Sequence, residues 1–210
     1  MPKTQGYESH ATTYDEWFDE NPDIYQAEIE AIKKLLPEGK GIEIGAGSGR
    51  FTAPLNIDTG IEPALAMREQ AKFRGLSLIE GVAEQLPVED NQFDYAIFIT
   101  STCFLDNPLK AYQEAARVTN DNGKIIIAFL EKNSELGKTY EKHKHENPFY
   151  CDATFYSYNE IKGFLEQAGF SDFQTVQTVL PENQTKQKSH DILPGHDQGA
   201  FIVLRAVKTS

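Results

Sequence analysis

Cysteine is scarce in this 210-residue sequence: it has two, Cys103 and Cys151, and their spacing matches no metal-binding motif. Nothing in this pair of cysteines indicates an oxidising compartment. The stretch from Met1 to Asp15 also lacks the basic and apolar segments of a signal peptide. We therefore expect a cytoplasmic protein.

Long apolar runs and basic side chains are scarce as well. No run approaches the roughly 20 apolar residues that span a bilayer, so no membrane span is expected. The 20 lysines and arginines are outnumbered by 32 aspartates and glutamates, which gives a formal net charge of −12. Because nucleic acids and anionic membranes require a basic surface, this charge argues against both as partners.

The apolar pattern alternates between strands and helices along most of the chain. It predicts strands around 42–44, 57–62, 76–80, 95–99, 124–130, 173–180 and 200–207, and helices at 23–36, 48–55, 63–74, 109–119 and 158–167. The polar segments 131–152 and 182–198 are predicted to be loops. At 210 residues, the chain suits one α/β domain with a full core.

This alternation indicates a Rossmann-like α/β fold with a seven-stranded, doubly wound sheet. Only the polar loop 182–198 joins the last two predicted strands, which leaves no room for a crossover helix. These strands should therefore pair antiparallel. The sheet is predicted to be parallel except for this C-terminal hairpin strand.

A glycine-rich stretch, 41–51, contains the most informative motif. A short apolar strand leads into Gly45, Gly47 and Gly49, and glycine allows a turn to lie directly against a ligand. The dinucleotide fingerprint uses the same physics, but here its third glycine comes one residue early. Glu43, inside the strand end, suits a ligand that carries an ammonium group better than one that carries a diphosphate.

A second acidic residue, Glu62, ends the second predicted strand, 17 residues beyond Gly45. At that position a carboxylate can accept hydrogen bonds from both hydroxyls of a ribose, and the alternative is a solvated residue at a strand end. The segment 81–84 ends the third predicted strand, where an adenine edge would fall. Val82 and Met67 could pack on its faces, although core packing explains either residue alone.

The ordered motifs resemble those of the class I S-adenosylmethionine-dependent methyltransferases. They are Glu43-x-Gly45-x-Gly47-x-Gly49, Glu62-Pro63, Gly81-x-Ala83-Glu84-x-Leu86-Pro87, Phe93-Asp94 and Gly123-Lys124. More narrowly, they are similar to the branch that includes ubiquinone and menaquinone biosynthesis enzymes and many small-molecule methyltransferases. The resemblance runs from about Tyr7 to Val207.

The resemblance implies S-adenosyl-L-methionine as cofactor and S-adenosyl-L-homocysteine as product. The cofactor-binding residues that it implies are Glu43, Gly45, Ala46, Gly47, Gly49, Glu62, Pro63, Met67, Val82, Ala83, Glu84, Thr100 and Phe104. The glycine turn would pass under the methionine part, Glu43 would orient its amino group, and Glu62 would hold the ribose. The segment 100–104 would form the floor between cofactor and substrate.

The N-terminal segment is aromatic and acidic, and Tyr14, Trp17 and Phe18 share one helical face. It is either a helix that docks on the core or a lid over the ligand, and the two are compatible. Tyr14 and Trp17 match the N-terminal lid of the family. Residues expected to belong to the substrate site or the lid are Tyr7, Tyr14, Trp17, Cys103 and Tyr156.

Two departures from the family pattern bear on the ligands. Many members carry Asp where this chain has Val82, so a contact to the adenine amino group is absent or comes from the backbone. The segment 100–106 lacks the histidine of many quinone-type members, and Cys103 and Phe104 occupy that neighbourhood. This argues against a quinone-type acceptor.

No catalytic base is assigned from the sequence. An oxygen or nitrogen nucleophile can require one, but each candidate alone is more often a surface or packing residue. The candidates are His143, His145, His190, His196, Tyr14 and Tyr156.

The sequence thus predicts one methyltransferase domain over 1–210. It comprises a helical lid (1–36), a cofactor-binding half (37–130), a variable insertion (131–156) and a C-terminal helix and hairpin (157–210). The expected activity is methyl transfer to an unidentified small-molecule acceptor. The alternatives are a non-catalytic cofactor-binding protein that uses the lid as an interaction surface and, disfavoured by the glycine spacing, an NAD-dependent dehydrogenase. Monomer and homodimer stay open.

Overall fold

The computed structural model describes residues 3–180 and 190–209. Positions 182–189 of the predicted loop 182–198 lie outside the described residues. The strands are β1 (Gly41–Ile44), β2 (Thr59–Ile61), β3 (Phe93–Ile99), β4 (Thr119–Leu130), β5 (Phe170–Thr178), β6 (Leu193–Pro194) and β7 (Phe201–Lys208). The helices are α1 (Gln5–Ser9), α2 (Ala11–Glu20), α3 (Pro22–Leu35), α4 (Leu65–Lys72), α5 (Pro108–Val118), α6 (Glu135–His143) and α7 (Tyr158–Gln167).

The strands form one sheet in the order β2-β1-β3-β4-β7-β5-β6. The pairs β1–β2, β1–β3 and β3–β4 are parallel, whereas β7 runs antiparallel to both β4 and β5. This arrangement confirms the predicted Rossmann-like sheet with an antiparallel C-terminal hairpin. The two-residue β6 adds a further antiparallel edge.

The core lies on both faces of the sheet because the central strands are apolar on both sides. Neighbouring residues point to opposite faces, so Phe98 joins the cluster under α5 and α7, and Ile97 joins the cluster under α3. Burying one such side chain contributes about 1.5–3 kcal/mol. The sheet therefore provides a rigid support for the loops at its carboxyl edge.

The helix predicted at 48–55 is wrong: this segment is a series of turns. Isolated helical hydrogen bonds link Ala53 to Gly49 and Leu55 to Phe51, at 3.1 and 3.2 Å. Pro54 has no N–H to extend them, and Asn56, with φ of 52°, turns the chain away.

The third strand predicted at 76–80 is also wrong. Within the described residues, this segment pairs with the sheet through one parallel bridge, between Ile61 and Ile79. The Ile79 N–H donates to the Gly60 carbonyl, and its carbonyl accepts from Glu62. A single bridge at the sheet edge leaves Ile79 40% exposed, so the apolar residues here do not indicate a full strand.

The predicted loop 131–152 contains α6 and a short 3-10 helix, Lys144–Glu146. The Ser134 hydroxyl caps α6 by accepting from the Gly137 N–H at 2.9 Å. The helix is mostly polar, and Leu136 is 39% exposed. Apolar periodicity therefore could not reveal it, although Ser134 is a helix start signal.

The helix predicted at 158–167 is confirmed as α7 with the same bounds. Ser157 and Glu160 form a reciprocal capping box at its start, and Gly169 follows its end with φ of 89°.

Candidate functional site

A cavity of about 520 Å³ opens beyond the carboxyl ends of β1 and β3 and is covered by α1 and α2. This edge is where open α/β sheets bind ligands. Sequence-predicted site residues that line it are Tyr7, Tyr14, Gly45, Gly47, Glu62, Pro63, Met67, Val82, Ala83, Glu84, Thr100 and Phe104. Glu43, Ala46, Gly49, Trp17, Cys103 and Tyr156 do not line this cavity.

The glycine turn is fastened to the end of β2. The N–H groups of Gly45 and Ala46 both donate to the Ile61 carbonyl, at 2.9 and 3.0 Å. Gly47 has φ of 55°, and a side chain built there would meet only the ring of Tyr14, at 3.8 Å. A residue larger than glycine would therefore be strained at this position and would occupy the cavity.

Glu62 ties the turn to the start of α4. One carboxylate oxygen accepts from the Gly47 N–H and the other from the Ala64 N–H, both at 2.8 Å. The residue is 6% exposed, and burial raises the pKa of its carboxyl, although these two hydrogen bonds oppose the shift. Each oxygen can accept a further hydrogen bond, so the carboxylate can accept hydrogen bonds from two more hydroxyl groups.

Glu43 lies behind the turn. It is 1% exposed and accepts a hydrogen bond from the Thr52 hydroxyl at 2.5 Å. Burial raises the pKa of its carboxyl to about 8. Its side chain therefore contacts Thr52 beyond the glycine turn and does not line the cavity.

At the far end of the cavity, the carboxylate of Glu84 accepts from the N–H groups of Asp106 and Asn107, at 2.9 and 3.1 Å. These contacts connect the 81–85 segment to the start of α5. Val82 and Ala83 line the cavity beside it, and a short bridge joins Val82 to Gln85. This wall presents backbone groups and small apolar side chains to a ligand.

The cavity floor follows β3 and includes a strained residue. Thr100 has φ of 51°, which is rare for a β-branched side chain, and its N–H donates to the Ala128 carbonyl at 2.8 Å. Cys103 follows in a 3-10 turn, where burial raises the pKa of its thiol to about 12. Because the thiolate is the reactive form, Cys103 is a poor nucleophile here.

Aromatic rings of α1 and α2 close the cavity. Tyr7 makes edge-to-face contacts with Tyr14 and Phe104, at centroid distances of 5.5 and 5.2 Å. Burial raises the pKa of both tyrosine hydroxyls, so neither is a ready proton acceptor near neutral pH. Trp17 packs on Phe18 at 5.1 Å instead of facing the cavity.

Ion pairs that the sequence analysis missed hold α2 on the glycine turn. The Asp15 carboxylate accepts from the Ser48 hydroxyl at 2.5 Å, from Arg74 at 2.7 Å and from Arg50 at 3.2 Å. Arg50 also pairs with Asp19, one helical turn further on, at 2.8 Å. The acidic pair at i and i+4 on α2 was the available signal, but its partners are distant in sequence.

Glu8 attaches α1 to the start of α4. Its two carboxylate oxygens accept from the N–H groups of Leu65 and Ala66, at 2.7 and 3.0 Å. These N–H groups have no partner within α4 because they lie at its start, and a helix N-terminus favours a negative charge. The N-terminal segment is thus attached to both the glycine turn and α4.

The remaining base candidates lie elsewhere. His143 and His145 are exposed on α6 and the following turn, and His190 is exposed. His196 stacks on Tyr158 at 3.7 Å beside a second cavity of about 200 Å³. Tyr156 packs against the ring of Phe164, so among the described residues only Tyr14 of these candidates lines the main cavity.

Comparison with known proteins places this geometry in a defined class. A family model described as a methyltransferase domain matches residues 42–127. A solved structure from Thermotoga maritima, described as an S-adenosylmethionine-dependent methyltransferase and possible histamine N-methyltransferase, is 38% identical with a TM-score of 0.91. The similarity covers 97% of this chain and 98% of that one.

Two sequence relatives extend the comparison. An uncharacterized protein of Methanocaldococcus jannaschii is 40% identical over 202 residues, which are 96% of this chain and 98% of that protein. The demethylmenaquinone methyltransferase of Renibacterium salmoninarum is 30% identical over 100 residues, which are 44% of this chain and 42% of that enzyme. For this enzyme, the narrower likeness to quinone biosynthesis enzymes covers less than half of the chain.

The sheet and the glycine-turn cavity are those of a methyltransferase. The chain belongs to the class I S-adenosylmethionine-dependent methyltransferase family. Among the residues that the structure describes, no helix combines the length and apolar character needed to cross a membrane.

Proposed function

We propose that this protein transfers a methyl group from S-adenosylmethionine to a small-molecule acceptor. The observation that carries the proposal is the Glu62 carboxylate, which faces a cavity of about 520 Å³ and is hydrogen-bonded to Gly47 of the glycine turn. In this proposal Glu62 accepts from both ribose hydroxyls. The turn at Gly45–Gly47 adjoins the methionine part, and Val82–Glu84 adjoins the adenine.

The cofactor, when bound, supplies an electrophilic methyl group on a sulfonium. The contribution of the protein is to align the acceptor with it, and such positioning can lower a barrier by about 7–11 kcal/mol. Tyr7, Tyr14 and Phe104 exclude water from this region. Tyr14 lines the cavity, but its raised hydroxyl pKa keeps it protonated, so it is a poor general base. The site therefore favours an acceptor whose nucleophilic atom needs no strong base.

The size and charge of the site support a small acceptor. The segment over the cavity is attached at Asp15 and Glu8, so α1 and α2 cover part of a cavity of about 520 Å³. A net charge of −12 disfavours nucleic acid. The Thermotoga structure is described as a possible histamine N-methyltransferase, and a neutral amine meets the requirement for a nucleophile that needs no strong base.

The test begins with calorimetric titration of S-adenosylmethionine, S-adenosylhomocysteine and NAD. It continues with release of S-adenosylhomocysteine in the presence of histamine and of other small amines, phenols and thiols. We expect both sulfur cofactors, but not NAD, to bind below millimolar concentration and one acceptor class to give turnover. Binding without turnover for every acceptor supports the non-catalytic alternative, and absence of binding by both sulfur cofactors contradicts the proposal.

A further inference from the structure

A tyrosine of the covering helix α2 lies directly over the glycine turn. A Cβ atom built on Gly47 would be 3.8 Å from the hydroxyl oxygen of Tyr14 and from the Cε1 atom of its ring. Both residues line the main cavity. The next residue of α2, Asp15, accepts a hydrogen bond at 2.5 Å from the hydroxyl of Ser48, which follows Gly47. Two consecutive residues of α2 therefore face two consecutive residues of the turn.

The Tyr14 hydroxyl is open to the cavity and has no protein partner. It makes no hydrogen bond among the described residues. In that part of the chain, the fully enclosed side-chain oxygen that lacks a partner is Oγ1 of Thr178, so the Tyr14 hydroxyl is not sealed inside protein. By contrast, the Tyr112 hydroxyl lies 3.2 Å from that of Thr102 in the core. Because tyrosine hydroxyls in protein interiors usually have a partner, the one on Tyr14 is suited to a ligand.

This hydroxyl is a hydrogen-bond donor in a fixed position. Burial raises the pKa of Tyr14, so the hydroxyl keeps its proton near neutral pH. The ring makes edge-to-face contacts with Tyr7 and Phe18, at centroid distances of 5.5 and 5.2 Å. The hydroxyl can therefore donate to an oxygen atom of a ligand that lies against the turn.

The turn itself offers few donors to such a ligand. The turn residues that line the cavity are Gly45 and Gly47. The N–H of Gly45 already donates to the Ile61 carbonyl at 2.9 Å, and that of Gly47 donates to the Glu62 carboxylate at 2.8 Å. A negatively charged group placed here therefore depends on side-chain donors.

Cationic side chains near the turn are either engaged or placed elsewhere. Arg50 and Arg74 donate to the Asp15 carboxylate, at 3.2 and 2.7 Å, and neither lines the cavity. Among the described residues, the cations that line it are Lys3 and Lys110. Lys110 lies in the first turn of α5, at the far end of the cavity. Lys3, which precedes α1, is therefore the cation that has to be separated experimentally from the hydroxyl over the turn.

We propose that the Tyr14 hydroxyl binds the carboxylate of the amino-acid part of S-adenosylmethionine. The inference rests on the proposed function, which puts that part of the cofactor against Gly45–Gly47, and it gives Tyr14 a specific role in that site. Hydrogen bonds to a charged carboxylate are stronger than those to a neutral group, so this contact favours the intact cofactor over analogues without the carboxylate. Because Tyr14 belongs to α2, the contact also joins the covering helix to the ligand.

The test pairs a change in the protein with the matching change in the ligand. Calorimetry measures the affinities of S-adenosylhomocysteine and of its decarboxylated form, an aminopropyl thioether that keeps the adenosine, the sulfur and the amino group. Tyr14→Phe keeps the ring and removes the hydroxyl. It should weaken S-adenosylhomocysteine binding about tenfold and change the affinity for the decarboxylated form by less than about twofold.

The control variants separate Tyr14 from other groups. Tyr158→Phe makes the same chemical change outside the main cavity, where the ring stacks on His196, and should leave both affinities unchanged. Tyr7→Phe and Lys3→Gln remove another cavity-lining hydroxyl and the competing cation. Both variants should keep most of the preference for the carboxylate.

Three results would overturn the inference. They are an equal loss of affinity for both ligands in Tyr14→Phe, an S-adenosylhomocysteine affinity within about twofold of the unsubstituted protein in that variant, and loss of the carboxylate preference in Tyr7→Phe or Lys3→Gln instead. Binding of S-adenosylhomocysteine to the unsubstituted protein is measured first. If it is absent, the proposed function fails; if it is present and any of the three results is found, only the assignment of Tyr14 fails.

Discussion

Replacement of Glu62 by glutamine probes the link between the glycine turn and the cofactor. The side chain keeps its shape, but one oxygen becomes an NH₂ group. The two oxygens now accept from Gly47 and Ala64 at 2.8 Å, so either orientation of the amide brings two donors together. One of these backbone N–H groups loses its partner, and the carboxylate loses its charge.

The size of the effect follows from these contacts. An unpaired buried N–H costs about 1–3 kcal/mol, so the free energy of unfolding should fall by about that amount. Loss of one charged hydrogen bond to a ribose hydroxyl costs about 1.5–3 kcal/mol, which weakens S-adenosylhomocysteine binding roughly 10- to 150-fold. Because burial already disfavours the charged form of Glu62, we expect the loss of S-adenosylhomocysteine affinity to fall in the lower half of its range.

Calorimetric titration measures the affinity, and urea unfolding of the same samples measures stability. Glu69→Gln is the control, since Glu69 is exposed and pairs with Lys72 on α4. An affinity within about twofold of the unsubstituted protein, together with reduced stability, would refute the reasoning. Glu62 would then anchor the turn without binding the cofactor.

Three further predictions follow from the site. Gly47→Ala should weaken S-adenosylhomocysteine binding in calorimetry far more than Gly75→Ala, because both positions have positive φ but only the former faces the cavity; equal losses would contradict this. Asp15→Asn should accelerate S-adenosylhomocysteine release in stopped-flow by about tenfold, since it removes charged hydrogen bonds that hold α2, and an unchanged rate would show that α2 does not gate release. Because the folded state raises the pKa of Glu43 to about 8, it binds the proton more tightly than the unfolded state, so urea-derived stability should fall between about pH 5 and pH 8. Glu43→Gln should flatten that fall, and an equal slope in the variant would exclude Glu43 as its cause.

Features set by local chemistry could be predicted from the sequence. The central strands are apolar on both faces, which identifies a covered sheet, and the polar segment 182–198 before the last strand has no apolar stripe that would indicate a crossover helix. The glycine turn and Glu62 were found because glycine spacing and a strand-end acid are local patterns. The cavity lining includes both.

Features set by tertiary contacts could not be predicted in the same way. The apolar segment 76–80 resembles a strand, yet at the sheet edge it makes one bridge. Helix α6 is polar and has no apolar stripe to reveal it. The partners of Asp15 are Arg50 and Arg74, which lie 35 and 59 residues away in the sequence.

The most direct test of the central claim is a crystal structure of the protein with S-adenosylhomocysteine. The account predicts both ribose hydroxyls at about 2.5–2.7 Å from the Glu62 carboxylate, with the homocysteine part against Gly45–Gly47 and the sulfur toward Tyr14 and Phe104. A ligand bound outside this cavity, or a ribose that makes no contact with Glu62, would contradict it.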